Sequence, residues 1–95
     1  MNPHLLVRYK VEDYDKWKAV FDSMAEARAA AGSLKGHVFQ DADDPLSITV
    51  LIKFEDLERM QDYMNAPELQ EAMKSAGVVS PPEIFVLGHE DKFVD

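Results

Sequence analysis

The stretch LLVRYKVEDYDKWKAVFDSMAEARAAAG, residues 5–32, decides the fold of this chain. Its first part alternates between two faces, as a β-strand does, and the rest repeats apolar residues at helical spacing. Asp13 is the expected N-cap, because its side chain can accept hydrogen bonds from the free N–H groups of the first turn. Gly32 is the expected end, where a left-handed conformation stops a helix. The stretch therefore predicts a strand, His4–Val11, that leads into one long helix.

The remaining sequence predicts three more strands and a second helical region. The strands Leu34–Asp41 and Leu46–Phe54 form a hairpin across the aspartate-rich turn DADDP. Asp56 is the expected cap of the second helix, and Pro67 interrupts that helix because proline lacks a backbone donor. The last strand is expected at Glu83–Gly88. The order β-α-β-β-α-β predicts an α+β, ferredoxin-like fold, with a four-stranded antiparallel sheet and helices on one face.

Length and composition predict one domain over residues 1–95, with an ordered core at about 4–89 and a polar tail at 90–95. The net charge of −8 argues against binding to nucleic acid or to anionic membrane surfaces. No apolar run reaches the roughly 18 residues of a membrane span. Cysteine is absent, so neither a disulfide framework nor thiolate chemistry is expected. A cytoplasmic location follows as the expectation.

The second face of the predicted sheet has no helix to cover it. Leu6 and Leu51 lie on this face, and each edge strand adds apolar residues whose parity the alternation leaves open. An apolar surface of this size is rarely left in water. Two sheets packed face to face around a two-fold axis would bury it. We therefore expect a homodimer, in which Arg8 on the same face forms its ion pair across the interface.

Four segments of the sequence carry a family resemblance. They are VEDYDKWKAVFD (11–22), DADDP (41–45), FEDLERMQDYM (54–64) and NAPELQEAMKSAGV (65–78). Together they resemble the dimeric α/β-barrel superfamily, and within it the small antibiotic-biosynthesis-monooxygenase-like proteins, many of them of unassigned activity. The resemblance extends over about Leu5–Leu87. It implies that two sheets form a barrel across a dimer, with a ligand cavity between each sheet and its helices.

The resemblance implies three functions that the residues leave open. The first is a cofactor-independent monooxygenase, cyclase or isomerase that acts on a small aromatic or polyketide-like compound, with no bound cofactor. The second is a small-molecule-binding or stress-associated dimeric module without turnover. The third is a structural accessory whose cavity its own side chains fill. The resemblance implies an Asn-Trp-His set in the haem-degrading relatives, with the asparagine on the first strand. This chain lacks that set, since its only tryptophan is Trp17 in the first helix and its first strand has no asparagine. The difference argues against haem degradation. No catalytic residue is therefore transferred from a relative.

Two residues are the candidates for proton transfer. Tyr9 lies at the centre of the first strand, on the face that meets the helices, where its hydroxyl can orient a polar group of a ligand. The other candidate is His37, because an imidazole can exchange a proton with a phenol or enol. The sheet face to which His37 points depends on the register of its strand. The expected binding residues are Tyr9, Trp17, His37, Phe39, Met60 and Met64. For each of them the alternative is a structural role, either packing in the core or exposure at the surface.

No metal site is expected from the histidines or the acidic turn. The predicted topology places His4 and His89 toward one end of the sheet and His37 at the other, so the three imidazoles do not meet. The aspartates in 41–44 lack the loop length and the terminal glutamate of a calcium site. Turn formation is their expected role.

Overall fold

The computed structural model describes residues 2–95 and confirms the ferredoxin-like order. Eight elements follow one another along the chain, because each of the two predicted helical regions consists of two helices. No helix among the described residues is both long enough and apolar enough to cross a bilayer. The elements are β1 (His4–Lys10), α1 (Tyr14–Ser23), α2 (Ala25–Ala30), β2 (Ser33–Gln40), β3 (Ser47–Phe54), α3 (Leu57–Asn65), α4 (Pro67–Ser75) and β4 (Glu83–Leu87).

The four strands form one sheet in the order β2-β3-β1-β4, and every neighbouring pair is antiparallel.

The sheet order changes the expected position of His37. Because both β1 and β2 are antiparallel to β3, they run in the same direction. The predicted placement of His37 at the opposite end from His4 was therefore wrong. Through its partner Leu51, His37 lies level with Leu6, two residues along β1 from His4, with β3 between them. The part of the chain that the structure describes still contains no group of three metal-ligating side chains.

The helix side of the sheet carries the core. Its alternation is clearest in β3, where every second residue is buried and the intervening ones are half-buried. Isolated bridging of Val11 to Val78 extends the sheet beyond β1. The buried apolar residues are Leu5, Val11, Trp17, Ile48, Val50, Ile52, Phe54, Met60 and Ala76.

The other side of the sheet, called here the reverse face, is apolar at its middle. One row of paired residues crosses all four strands there, from Phe85 through Leu6 and Leu51 to His37. Phe39 lies two residues after His37 on the same face of β2, and the centroids of the two rings are 6.0 Å apart. Phe39 is 54% exposed and Phe85 is 48% exposed. The register thus places both phenylalanines on the reverse face, where the sequence left two choices open.

The predicted first helix is interrupted at Met24, which separates α1 from α2. Two side chains compete for backbone groups at this point. The Ser23 hydroxyl donates to the carbonyl of Val20 at 2.6 Å, and Arg28 Nη1 donates to the carbonyl of Phe21, also at 2.6 Å. Such side-chain bonds to helix carbonyls bend and interrupt helices. The apolar periodicity continues across the interruption, so it could not reveal it.

The predicted helix ends are confirmed. Asp13 caps α1 by accepting from the backbone N–H groups of Asp15 and Lys16, at 3.0 and 3.4 Å. Asp56 caps α3 in the same way. Gly32 follows α2 with φ at +100°, in the left-handed region that favours glycine.

The predicted DADDP turn is also confirmed. The Asp41 carboxylate accepts from the backbone N–H groups of Asp43 and Asp44, and the Asp44 carboxylate accepts from that of Leu46. Asp44 also forms an ion pair with Lys10 at 3.4 Å. These carboxylates therefore close the hairpin between β2 and β3.

Candidate functional site

A cavity of about 180 Å³ lies between the sheet and the helices. Its floor consists of helix-side residues of β1, β3 and β4, and its walls come from all four helices. Aliphatic, aromatic and methionine side chains make up most of the lining. Among the described residues, five lining side chains carry polar groups: Tyr9, Trp17, Arg28, Tyr63 and Gln70. The cavity is thus an apolar chamber with a small set of directed polar groups, as small-molecule sites usually are.

Tyr9 is the polar group that is held most firmly. The strand projects its side chain toward α1, where the indole Nε1 of Trp17 donates a hydrogen bond to Tyr9 Oη at 2.9 Å. The two rings meet edge to face, with centroids 6.2 Å apart. Trp17 is itself 2% exposed and stacks on Phe21 at a centroid distance of 5.0 Å. Because Tyr9 Oη accepts from Trp17, its own O–H proton is left to donate.

Burial controls the protonation of the two tyrosines in the cavity wall. Desolvation raises the pKa of Tyr9 to about 12, against a smaller lowering by the Trp17 hydrogen bond. Desolvation also raises the pKa of Tyr63, and the charge of Arg28 opposes this shift. Both phenols are therefore neutral near pH 7. Tyr9 is accordingly suited to donate a hydrogen bond and unsuited to act as a base.

Arg28 supplies the one cationic side chain of the described cavity wall. Its guanidinium carbon lies 3.7 Å from the centroid of the Phe21 ring, within the range of a cation–π contact. Desolvation lowers its pKa, while Tyr63, Asp22 and Tyr9 act in the opposite direction. Arginine keeps its proton even when it is partly buried. The cavity therefore has a positive charge next to two neutral phenols.

The structure brings together only some of the site residues that the sequence suggested. Tyr9, Trp17 and Met64 line the cavity, whereas Met60 is completely buried beneath it and does not line it. His37 and Phe39 lie on the reverse face, across the sheet from Tyr9. The β2 strand at His37 also borders a separate pocket under α2. The register nevertheless pairs His37 with Leu51, which directs its side chain away from the helices.

Arg28, Tyr63 and Gln70 are the polar cavity residues that the sequence argument left out. Arg28 continues the helical spacing of Phe21 and Met24, so it interrupts an apolar stripe rather than a solvent-facing one. Tyr63 lies in the stripe of α3 beside Met60. A lone charged residue inside an apolar stripe was the signal that could have found the cationic end of the cavity.

Comparison with known families and structures supports this architecture. The family model described as antibiotic biosynthesis monooxygenase matches residues 5–75. No curated protein matches the sequence. Among solved structures, SnoaB, a cofactor-independent oxygenase from Streptomyces nogalater, is similar with a TM-score of 0.79 and 13% identity, over 99% of this chain and 98% of its own.

Two further structures are similar in the same way. A monooxygenase from the ActVA-Orf6 gene of Streptomyces coelicolor, solved in complex with nanaomycin D, has a TM-score of 0.70 and 14% identity, over 99% of this chain and 92% of its own. A conserved protein from Methanosarcina mazei has a TM-score of 0.75 and 16% identity, over 95% and 94%. At these identities the structural likeness shows the fold alone. The family model covers most of the chain, and the chain therefore belongs to the antibiotic biosynthesis monooxygenase family.

Proposed function

We propose that this protein is a cofactor-independent monooxygenase that acts on a small aromatic or polyketide-like compound. The observation that carries the proposal is the apolar chamber with one firmly oriented hydroxyl, that of Tyr9, held by Trp17 at 2.9 Å. Cyclisation and isomerisation of the same compounds would use the same chamber. The oxygenases SnoaB and ActVA-Orf6 share the fold, which supports the choice by analogy.

The reaction needs a substrate that ionises readily, such as an anthrone or a quinol. The ionised substrate carries its negative charge on oxygen, and the Tyr9 O–H donates a hydrogen bond to that oxygen. For an anthrone, the ring methylene loses two hydrogens and gains a carbonyl oxygen from O₂. The second oxygen atom of O₂ leaves in water. The substrate supplies all four electrons, so the balance requires no external reductant, and the proton released on ionisation passes to solvent.

Oxygen uptake tests this function. We expect anthrone-type or quinol substrates to be oxidised, with one atom of ¹⁸O₂ in the product ketone of an anthrone. Removing one directed donor should lower kcat about 100- to 1,000-fold, so Tyr9→Phe should show a loss of this size. Tyr14→Phe is the matched control, because Tyr14 contacts Trp17 but does not line the cavity. No turnover by the wild type, or equal activity in the two variants, would refute the proposal.

Binding without turnover is the second candidate function. The observation that favours it is the chemistry of the described lining, which includes no carboxylate and no imidazole to serve as a strong base. Calorimetric titration with the same compounds under nitrogen separates the two functions. Binding without oxygen uptake in air would support the second.

We further propose that the protein acts as a homodimer in which two reverse faces meet. The support is the apolar row Phe85–Leu6–Leu51, which crosses the sheet and which no helix of the same chain covers. Leu51→Glu should convert the dimer to monomer in sedimentation. Leu57→Glu, at an exposed leucine of α3, should not do so. A folded wild-type monomer at micromolar concentration would contradict the proposal.

The cytoplasmic location expected from the composition stays a prediction.

A further inference from the structure

The guanidinium of Arg28 forms no ion pair with a carboxylate within the described chain. The side-chain ion pairs of residues 2–95 involve other cations, and no carboxylate oxygen lies within 4.0 Å of its guanidinium. A guanidinium has five N–H donors. One hydrogen bond is present, from Nη1 to the carbonyl of Phe21 at 2.6 Å. The remaining donors have no protein acceptor in this part of the chain.

Asp22 is the carboxylate that acts on Arg28 from a distance, raising its pKa against the larger effect of burial, and it forms its own ion pair with Lys18. The chain contains 18 aspartates and glutamates against 10 lysines and arginines. None of the acidic side chains that the structure describes lines the cavity. Burying a cation without a partner costs free energy, and burial indeed lowers the pKa of Arg28. A half-buried cation without an ion-pair partner, at the wall of an apolar chamber, would be stabilised by a negative charge on a ligand.

The neighbours of Arg28 suit an oxyanion. Tyr63 lines the same cavity as Arg28, and its phenol remains protonated because burial raises its pKa. In the described residues the Tyr63 hydroxyl makes no hydrogen bond, which leaves it as a second donor. The Phe21 ring contacts the guanidinium, whose central carbon lies 3.7 Å from the ring centroid. A planar fork of N–H donors beside a phenol O–H fits the geometry of a carboxylate.

The size of the cavity limits the rest of the ligand. An apolar cavity of roughly 150 Å³ can hold one benzene ring. This cavity, at about 180 Å³, is slightly larger and is open on one side. It therefore encloses one ring fully and a second ring in part, beside Trp17 and the aliphatic floor, and the remaining ring of an anthrone would extend through the opening.

We propose that Arg28 and Tyr63 form an anion subsite, and that the cavity selects aromatic compounds that carry a carboxylate over neutral compounds of the same shape. This inference deepens the proposed function, because it assigns a substrate class to the same cavity. Arg28 binds the carboxylate at one end, and the ring system lies toward Tyr9 and Trp17. The subsite determines specificity and takes no part in oxygen chemistry, so it can be tested without turnover.

Isothermal titration calorimetry at pH 7 with 2-naphthoate and 2-naphthamide is the test, since the two probes differ in charge and share the ring system. A charge-assisted pair is expected to favour the carboxylate about 10- to 100-fold in the wild type. Arg28→Met should lose this preference and bind the amide as the wild type does. Arg28→Lys should keep part of the preference, because it keeps the charge without the fork. Arg59→Met is the matched control, since Arg59 pairs with Glu55 outside the cavity and should leave the preference unchanged.

Several results would overturn the proposal. Equal affinity of the wild type for the two probes, or binding of neither, would show that no anion subsite exists. A preference that survives in Arg28→Met would assign the selectivity to another group. If Arg28→Met does not fold, the test rests on Arg28→Lys. An undiminished preference of that variant for the carboxylate would show that the guanidinium donors of Arg28 do not bind it. None of these measurements involves oxygen, so a failed oxygenase assay and a failed subsite are distinguishable.

Discussion

The hydrogen bond between Trp17 and Tyr9 allows a sharp prediction about stability. Tyr9→Phe removes the acceptor of the indole N–H and leaves the ring of residue 9 in place. Trp17 is 2% exposed, and Tyr9 Oη at 2.9 Å is its partner. The variant therefore leaves a buried donor without an acceptor, and its desolvation is then not compensated by a hydrogen bond.

The expected loss can be bounded from the structure. An unsatisfied buried donor costs about 1–3 kcal/mol. The adjoining cavity can admit water to the indole N–H, and the variant also removes the desolvation of the tyrosine hydroxyl. Both effects reduce the cost. We therefore expect the free energy of unfolding to fall by about 1–2 kcal/mol, toward the lower part of that range.

Urea denaturation followed by circular dichroism measures this difference. Protomer concentration must be the same for all variants, because dimerisation would make the midpoint depend on it. The slope of the free energy of unfolding against urea concentration should be the same in all variants, so that the shift in midpoint reports stability alone.

Tyr63→Phe is the matched control, since Tyr63 is equally a half-buried cavity tyrosine but makes no hydrogen bond among the described residues. It should change the free energy of unfolding by less than about 0.5 kcal/mol. Equal losses in the two variants, or no loss in Tyr9→Phe, would refute the reasoning.

Three further predictions follow from the same structure. Gly36→Ala should destabilise by about 1–3 kcal/mol, because a Cβ there would lie 2.4 Å from the carbonyl oxygen of Leu51; a midpoint equal to that of the wild type would contradict this. Asp13→Ala should cost about 1 kcal/mol through loss of the α1 cap, and Asp13→Asn should cost clearly less in the same urea titration. Between pH 10 and about 12, folded Tyr9 keeps a proton that the unfolded chain releases, so stability should fall with rising pH by up to about 1.4 kcal/mol per pH unit. Tyr9→Phe should show a correspondingly shallower decline over this window; an identical slope would show that Tyr9 is not the group concerned.

Local signals in the sequence were sufficient for most of the fold. Asp13, Asp56 and Gly32 mark helix ends through bonds and torsions within a few residues, and these short-range rules do not depend on the rest of the chain. The order of the elements then leaves few topologies. The interruption at Met24 was missed because it depends on where the Arg28 side chain folds back, and apolar periodicity does not contain that information.

The candidate site was less predictable, because it depends on the register of β2 and on a charged residue, Arg28, that lies in the apolar stripe of a helix. His37 could be assigned to a sheet face only once the pairing of β2 was known, including the irregularity between Ser33 and Lys35. Tyr9 and Trp17 were recognised because they follow the periods of a strand and a helix. Arg28 was missed because a charged residue is ordinarily read as a solvent-facing position.

The position of the single tryptophan has a practical consequence for finding the ligand. Trp17 lies against the cavity, with its N–H bonded to Tyr9 and its ring stacked on Phe21. An occupant that displaces water or shifts the Tyr9 hydroxyl would change the emission spectrum of this indole. The wild-type protein therefore contains its own optical reporter, specific to one chamber. Collections of aromatic compounds can be screened with it before any reaction is known.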